Sequence, residues 1–92
     1  MKIEYDPEKS RKNSQERGLS FDLVAKFDWE TAIFTEDIRY LYPEKRFVAM
    51  GYLNERLYVL CFTPIPGGVR VISFRKANLR EVRRYEERTI DE

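Results

Sequence analysis

Histidine is missing altogether from the 92 residues. Its absence removes the commonest general base, the serine–histidine and cysteine–histidine nucleophile pairs and the usual zinc clusters. Any chemistry falls to carboxylates, Lys, Arg, Tyr and hydroxyls, and metal catalysis is unsupported rather than excluded. Cysteine occurs once, at Cys61, so the chain cannot hold an internal disulfide; flanked by Val59, Leu60 and Phe62, the thiol is expected to be buried as a small hydrophobe. Long apolar runs are also missing. Nothing approaches the roughly 18 residues of a membrane span, and Met1 to Ser10 carries charges where a signal peptide needs an apolar stretch, so a cytoplasmic protein is expected. With 42% hydrophobic residues and only four Gly and four Pro, disordered and collagen-like classes are excluded.

Charge is plentiful but nearly balanced, at 17 Lys and Arg against 16 Asp and Glu. The net +1 argues against a bulk polyanion binder, yet it hides an uneven distribution. Met1 to Ile38 carries 6 basic and 9 acidic residues, whereas Arg39 to Glu92 carries 11 basic and 7 acidic. Arg70, Arg75, Lys76, Arg80, Arg83, Arg84 and Arg88 crowd the final third, the footprint of a local patch that meets phosphates.

Along the chain, Lys2 to Tyr5 reads as a short edge strand. Asp6 as N-cap and Pro7 at the first helical position predict a helix to about Arg17, stopped by Gly18. That helix has almost no apolar face, which implies packing by its long aliphatic stems. Ser20 is a second N-cap, followed by a short amphipathic helix, Phe21 to Phe27, on Phe21, Val24, Ala25 and Phe27. Thr31 to Thr35 reads as a strand and Glu36 to Lys45 as a long loop. Strands follow at Arg46 to Leu53, Arg56 to Thr63 and Val69 to Lys76, with turns at Asn54-Glu55 and Pro64 to Gly68. Asn78 caps a last helix, with Glu81 at its third position, running through Leu79, Val82 and Tyr85 to about Thr89. The expectation is a single α+β domain over 1–92. Its sheet is an antiparallel meander of four to five strands, with two N-terminal helices and one C-terminal helix packed on one face. Alternation leaves neither face of the sheet polar: Arg46 to Leu53 sets Phe47, Ala49, Gly51 and Leu53 against Arg46, Val48, Met50 and Tyr52, and Arg56 to Thr63 sets Leu57, Val59, Cys61 and Thr63 against Arg56, Tyr58, Leu60 and Phe62; either the last helix covers the second face or a partner protein or RNA does.

The segments Asp6-Pro7-Glu8-Lys9, Asn13 and Arg17-Gly18-Leu19-Ser20-Phe21 resemble the opening of the BrnT family, toxins of type II toxin–antitoxin systems. Arg46 to Gly51, Arg56 to Thr63 and Val71 to Ala77 resemble its central strands, and Glu81 to Tyr85 its closing helix. The resemblance implies a RelE-like fold and a metal-independent ribonuclease that inhibits translation and needs no cofactor. It also implies neutralisation by a BrnA-like antitoxin with a ribbon-helix-helix portion, through which alone DNA is bound. The sequence departs from the family at Glu16-Arg17-Gly18, where Lys-His-Gly is common, and at Pro64-Ile65, where many members place an Arg.

Such cleavage needs a group to take the ribose 2′-OH proton, cations around the phosphorane and a donor for the 5′ oxygen. Arginine suits the cationic part through bidentate hydrogen bonding and cannot be the base. Strand alternation puts Arg75 and Ser73 on one face with Val69 and Val71, and Arg70 and Lys76 on the other. Arg75 is the leading phosphate clamp, against a surface salt bridge. Arg56, opening a strand, is a second candidate, and Arg17 fills the family's histidine slot. Lys9, Glu81 and Tyr85 are open as base or donor, although Glu81 also fits helix capping and Tyr85 the core. Arg70, Lys76, Arg80, Arg83 and Arg84 are candidates for RNA contact, with a solvated helix face as the alternative for the last three. Tyr40, Tyr42, Tyr52, Tyr58, Phe62 and Phe74 are candidate stacking partners for bases. The rival functions are a non-catalytic RNA- or protein-binding domain on the same fold, and an interaction module with no nucleic-acid role.

Overall fold

A computed structural model describes residues 1–90. Positions 91 and 92 of the expected domain lie outside the described residues. The strands are β1 (Lys2–Glu4), β2 (Ile33–Glu36), β3 (Phe47–Leu53), β4 (Arg56–Ile65) and β5 (Gly68–Lys76), and the α-helices are α1 (Pro7–Arg17) and α2 (Leu79–Ile90). They form one five-stranded sheet in the order β1-β5-β4-β3-β2.

Local chemistry sets most boundaries. The Asp6 carboxylate accepts from the Glu8 N–H, and Gly18 closes α1 in the left-handed conformation at φ 66, its N–H donating to the Ser14 carbonyl. In α2 the Glu81 N–H donates to Asn78 Oδ1 while the Asn78 N–H donates to Glu81 Oε1, both at 2.9 Å, a reciprocal capping box. Asn54-Glu55 forms the two-residue turn between β3 and β4, and β4 and β5 run on to Ile65 and Gly68 so that Pro66-Gly67 alone makes the next turn. The loop 37–46 is irregular, as expected.

Four expectations are corrected. The sheet is mixed: β2 to β5 pair antiparallel, but β1 lies parallel to β5. After β1 the chain crosses the sheet through α1 and re-enters at the far edge as β2. A Cβ on Gly68 would fall 1.8 Å from the Lys2 carbonyl oxygen, so the absent side chain lets β1 approach. The second helix is a 3-10 helix, Phe21–Lys26, not an α-helix. Its buried residues Phe21 and Val24, with buried Phe27 at its C-cap, recur every third position, which is the 3-10 repeat, while Ala25 is exposed. The Ser20 side chain makes no capping bond to it. Third, α1 is fixed by polar side chains: buried Ser10 Oγ accepts from the Phe21 N–H at 2.9 Å, and Asn13 Nδ2 donates to the carbonyls of Leu19 and Phe74 at 2.8 and 2.9 Å.

The fourth correction concerns the layers: helices cover both faces of the sheet rather than one, with the last helix over the second face as one of the two alternatives had it. Ala49, Leu53, Tyr58, Leu60, Phe62, Val69, Val71 and Phe74 pack on one face against Leu19, Phe21, Val24 and Phe27. On the other face Leu57 and Val59 meet Ala77, Val82 and Tyr85, so α2 covers that face at one end only. What α2 leaves uncovered is a groove.

Candidate active site

Strand β5 carries one residue more than its partner: Cys61 pairs with Ser73 and Phe62 with Val71, leaving Ile72 as the extra residue of a β-bulge. The bulge inverts the alternation expected from sequence. Val69, Val71 and Phe74 face the α1 core, while Ser73 and Arg75 are turned to the α2 face beside Cys61 and Val59. Lys76 falls on the α1 face and Arg70 on the α2 face, so these two do not share a side.

Between α2 and the loop 37–46, over this face, lies a groove of about 610 Å³. Its floor is apolar, with Val48, Met50, Val59 and Ile72, together with Cys61, which is half-buried rather than buried as expected. Arg39 and Arg46 line it from the loop and Arg75, Arg84 and Arg88 from β5 and α2, five cations against the carboxylates of Glu36, Asp37 and Glu81. The groove is therefore electropositive although the whole chain carries a net charge of only +1.

Two of these arginines are braced by bidentate hydrogen bonds to a carboxylate, and Arg46 makes a longer ion pair with Glu44 at 3.6 Å. Arg75 donates from Nη1 to Glu81 Oε1 at 2.9 Å and from Nη2 to Glu81 Oε2 at 2.8 Å, with a further Nη1 contact to the Lys76 carbonyl at 3.3 Å. These bonds hold the Glu81 carboxyl down to about 2 and push Arg75 above its ordinary value. Arg39 donates from Nε and Nη2 to the two oxygens of Asp37, both at 2.9 Å, and its backbone N–H reaches Oδ1 at 3.2 Å. The Tyr42 hydroxyl donates to Asp37 Oδ2 at 3.0 Å, and the Arg46 guanidinium lies 4.1 Å over the Tyr42 ring. The Asp37 side chain is 2% exposed and the Arg39 side chain 73%. Its hydrogen bonds from Arg39 hold Asp37 well below the usual carboxylate range, while burial and then Asp37 push the Tyr42 hydroxyl and the Cys61 thiol up.

Of the residues singled out from sequence, the groove gathers Arg75, Glu81 and Arg84. Lys9 and Arg17 lie on exposed surfaces of α1, across the sheet. Arg56 sits at the β3–β4 turn, beside Leu79, Val82 and Glu86. Tyr85 is 4% exposed, donates to the Thr31 carbonyl at 2.7 Å and packs edge-on against Tyr52. Arg70 is paired with Glu4 at the β1 edge, and Arg80 and Arg83 lie on the outer side of α2. Tyr58, Phe62 and Phe74 are core residues, and Tyr40 is exposed. Tyr42, a stacking candidate from sequence, also lines the groove, where its hydroxyl is engaged by Asp37. Sequence reasoning missed Arg39, Asp37 and Arg46 as site residues, and the groove positions of Ser73 and Arg88. The only signal for the loop set was the mixture of charged and aromatic residues in a segment with no periodicity.

No described helix is long and apolar enough to cross a membrane. Comparison with curated proteins and with solved structures returns no match. A family model described as ribonuclease toxin, BrnT, of type II toxin-antitoxin system matches residues 5–81. That span holds the capped α1, the bulged β5 with Arg75, and Glu81 itself; the chain belongs to the BrnT family, ribonuclease toxins of type II toxin–antitoxin systems, which pair with an antitoxin protein.

Proposed function

We propose that the groove on the α2 face is where RNA is cleaved, with Arg75 as the clamp on the scissile phosphate. The observation that carries this reading is the use of the Arg75 fork. Its end-on pair of N–H groups is committed to Glu81, and one Nη1–H is near the Lys76 carbonyl. The Nε–H and the second Nη2–H have no partner among the described residues, and they form the other bidentate edge of the guanidinium, matched to two phosphate oxygens. The side chain is 38% exposed and lines the groove. Glu81 thus serves as a positioning residue. With both oxygens engaged and its carboxyl held at about 2, it is a poor proton acceptor near neutral pH.

The reaction proposed is attack of a ribose 2′-OH on the adjacent phosphorus: the bond from the 2′ oxygen to phosphorus forms as its proton passes to solvent water, the bond from phosphorus to the 5′ oxygen breaks as that oxygen takes a proton from water, and a 2′,3′-cyclic phosphate is left. Arg75, helped by Arg84 and Arg88, stabilises the charge that grows on the phosphorane. A metal-independent course is supported by the donor set: Asp37 and Glu81, the inner carboxylates of the groove, are each tied to an arginine. Translation inhibition in the cytoplasm, a RelE-like classification and a ribbon-helix-helix antitoxin of the BrnA type belong to the same reading. Membership of a two-protein system and the α-helix-closed antiparallel strands β2 to β5 support them. The purified protein, supplied with a chelator, is expected to cut RNA and leave 5′-hydroxyl and 2′,3′-cyclic phosphate ends; intact RNA, or cleavage only after added metal, would refute the reading.

A further inference from the structure

The loop 37–46 repeats the design of the Arg75–Glu81 pair on the opposite rim of the groove. A carboxylate that is almost wholly buried, Asp37, takes the Nε–H and one Nη2–H of Arg39. The Tyr42 hydroxyl donates to Asp37 Oδ2, the oxygen that also accepts from Arg39 Nη2, and Arg46 stacks on the Tyr42 ring. The parts of this loop lock one another, and what they hold out is the end-on edge of Arg39, its Nη1–H and outer Nη2–H, on a side chain that is 73% exposed. An isolated surface arginine would lose rotamer freedom on binding an anion. Arg39 has already lost it, so its edge is pre-organised.

The two braced arginines stand on separate elements at opposite sides of the groove floor. β5 and β2 are separated by two strands, three strand spacings or about 14 Å, and Arg39 follows β2 by three residues. Between them runs the apolar floor of Val48, Met50 and Val59. We infer that Arg39, set by Asp37 and Tyr42, is a second phosphate anchor, so that the groove takes an extended single RNA strand by two of its phosphates with bases over the apolar floor. The inference rests on the reading of the groove as the RNA site, and it deepens that reading by assigning the substrate class: an oligonucleotide rather than a mononucleotide or dinucleotide. Arg39 is here a binding residue, and Asp37 and Tyr42 are positioning residues.

The test uses the full-length protein and uncleavable 2′-O-methyl RNA, comparing a dinucleotide with a longer single strand. Arg39→Ala is expected to weaken the longer strand about tenfold and to lower its salt dependence by about one phosphate contact, leaving dinucleotide binding unchanged. Asp37→Asn is expected to act in the same direction, whereas Arg75→Ala weakens both ligands. Arg39→Ala leaves the buried Asp37 carboxylate with Tyr42 as its remaining side-chain partner, so binding is compared well below the midpoint of a circular dichroism melt, and Arg39→Lys, which keeps a cation beside Asp37 but has no second planar edge, is expected to weaken the longer strand likewise. Unaltered binding of the longer strand to Arg39→Ala would overturn the second anchor while leaving the cleavage site standing. Equal weakening of both ligands would overturn it too. If wild type binds neither RNA, the reading of the groove itself fails. An antitoxin that binds Arg39→Ala poorly, with RNA binding unaffected, would reassign the edge to an acidic protein segment and so reject the inference.

Discussion

Arg75→Ala is expected to lower the rate of RNA cleavage by about 10²–10³-fold, the usual cost of removing one pre-set donor to a developing oxyanion. The residue is turned into the groove only because the Ile72 bulge shifts the alternation of β5, and its orientation there is fixed by two bonds to Glu81. Arg75→Lys is expected to restore little, since a single ammonium cannot hold Glu81 and a phosphate through two planar edges at once. Folding should survive either change, because the core under β5 is made by Phe74, Val71 and Val69 from the other face. The pH dependence follows from the same pair. Glu81 is ionised well below its ordinary value of 4.5, so its bonds contribute stability that is complete above that value and lost as pH falls through about 2. Cleavage measured between about pH 5 and 8 therefore carries no limb from Glu81. A limb that disappears in Glu81→Gln would show that Glu81 is the base after all. Single-turnover cleavage of a labelled RNA reads all of these outcomes.

Tyr85 carries the second large effect, and it falls on stability. The ring is 4% exposed, set among Leu57, Val59 and Ala77 with Tyr52 edge-on at 5.4 Å, and it fastens α2 to the sheet. Tyr85→Ala is expected to cost about 3–5 kcal/mol, the range for removing a buried aromatic ring. Against a total of roughly 5–15 kcal/mol for a small domain, that leaves the protein near its unfolding threshold. Tyr85→Phe removes only the bond to the Thr31 carbonyl and is expected to cost about 1 kcal/mol. Its cleavage rate should match wild type, because the hydroxyl is spent on Thr31. Chemical denaturation gives the stabilities. A folded Tyr85→Phe protein that no longer cleaves RNA would instead make this tyrosine the proton donor.

What could be read from sequence was the part written in neighbouring residues. Asp6, Pro7 and Gly18 bound α1, and Asn78 with Glu81 bounds the start of α2, because each cap needs only backbone within a turn of itself. The parallel pairing of β1 with β5 joins residues more than sixty positions apart, and no local signal records it. The bulge at Ile72 is a more instructive loss. Strict alternation assigns Arg75 to the wrong face, and one extra residue reverses every assignment after it. The low apolar content of α1 pointed to aliphatic stems, whereas Ser10 and Asn13 bind backbone groups, Asn13 reaching the Phe74 carbonyl on the strand that carries Arg75. The loop around Asp37 has no periodicity, so its network was hidden although its members lie within ten residues.

The chain's one cysteine gives the most direct test of where RNA binds. Cys61 lies half-buried on the groove floor opposite Ser73, so a single alkylation event reports occupancy of the groove without any substitution. Burial raises the thiol pKa, which makes the reaction with N-ethylmaleimide slow enough to time by mass spectrometry. Saturating 2′-O-methyl RNA is predicted to protect Cys61 in the wild-type protein, and to protect it less in Arg75→Ala at the same RNA concentration. Alkylation of Cys61 at an undiminished rate while RNA is bound would contradict the account, because the strand would then lie elsewhere on the molecule.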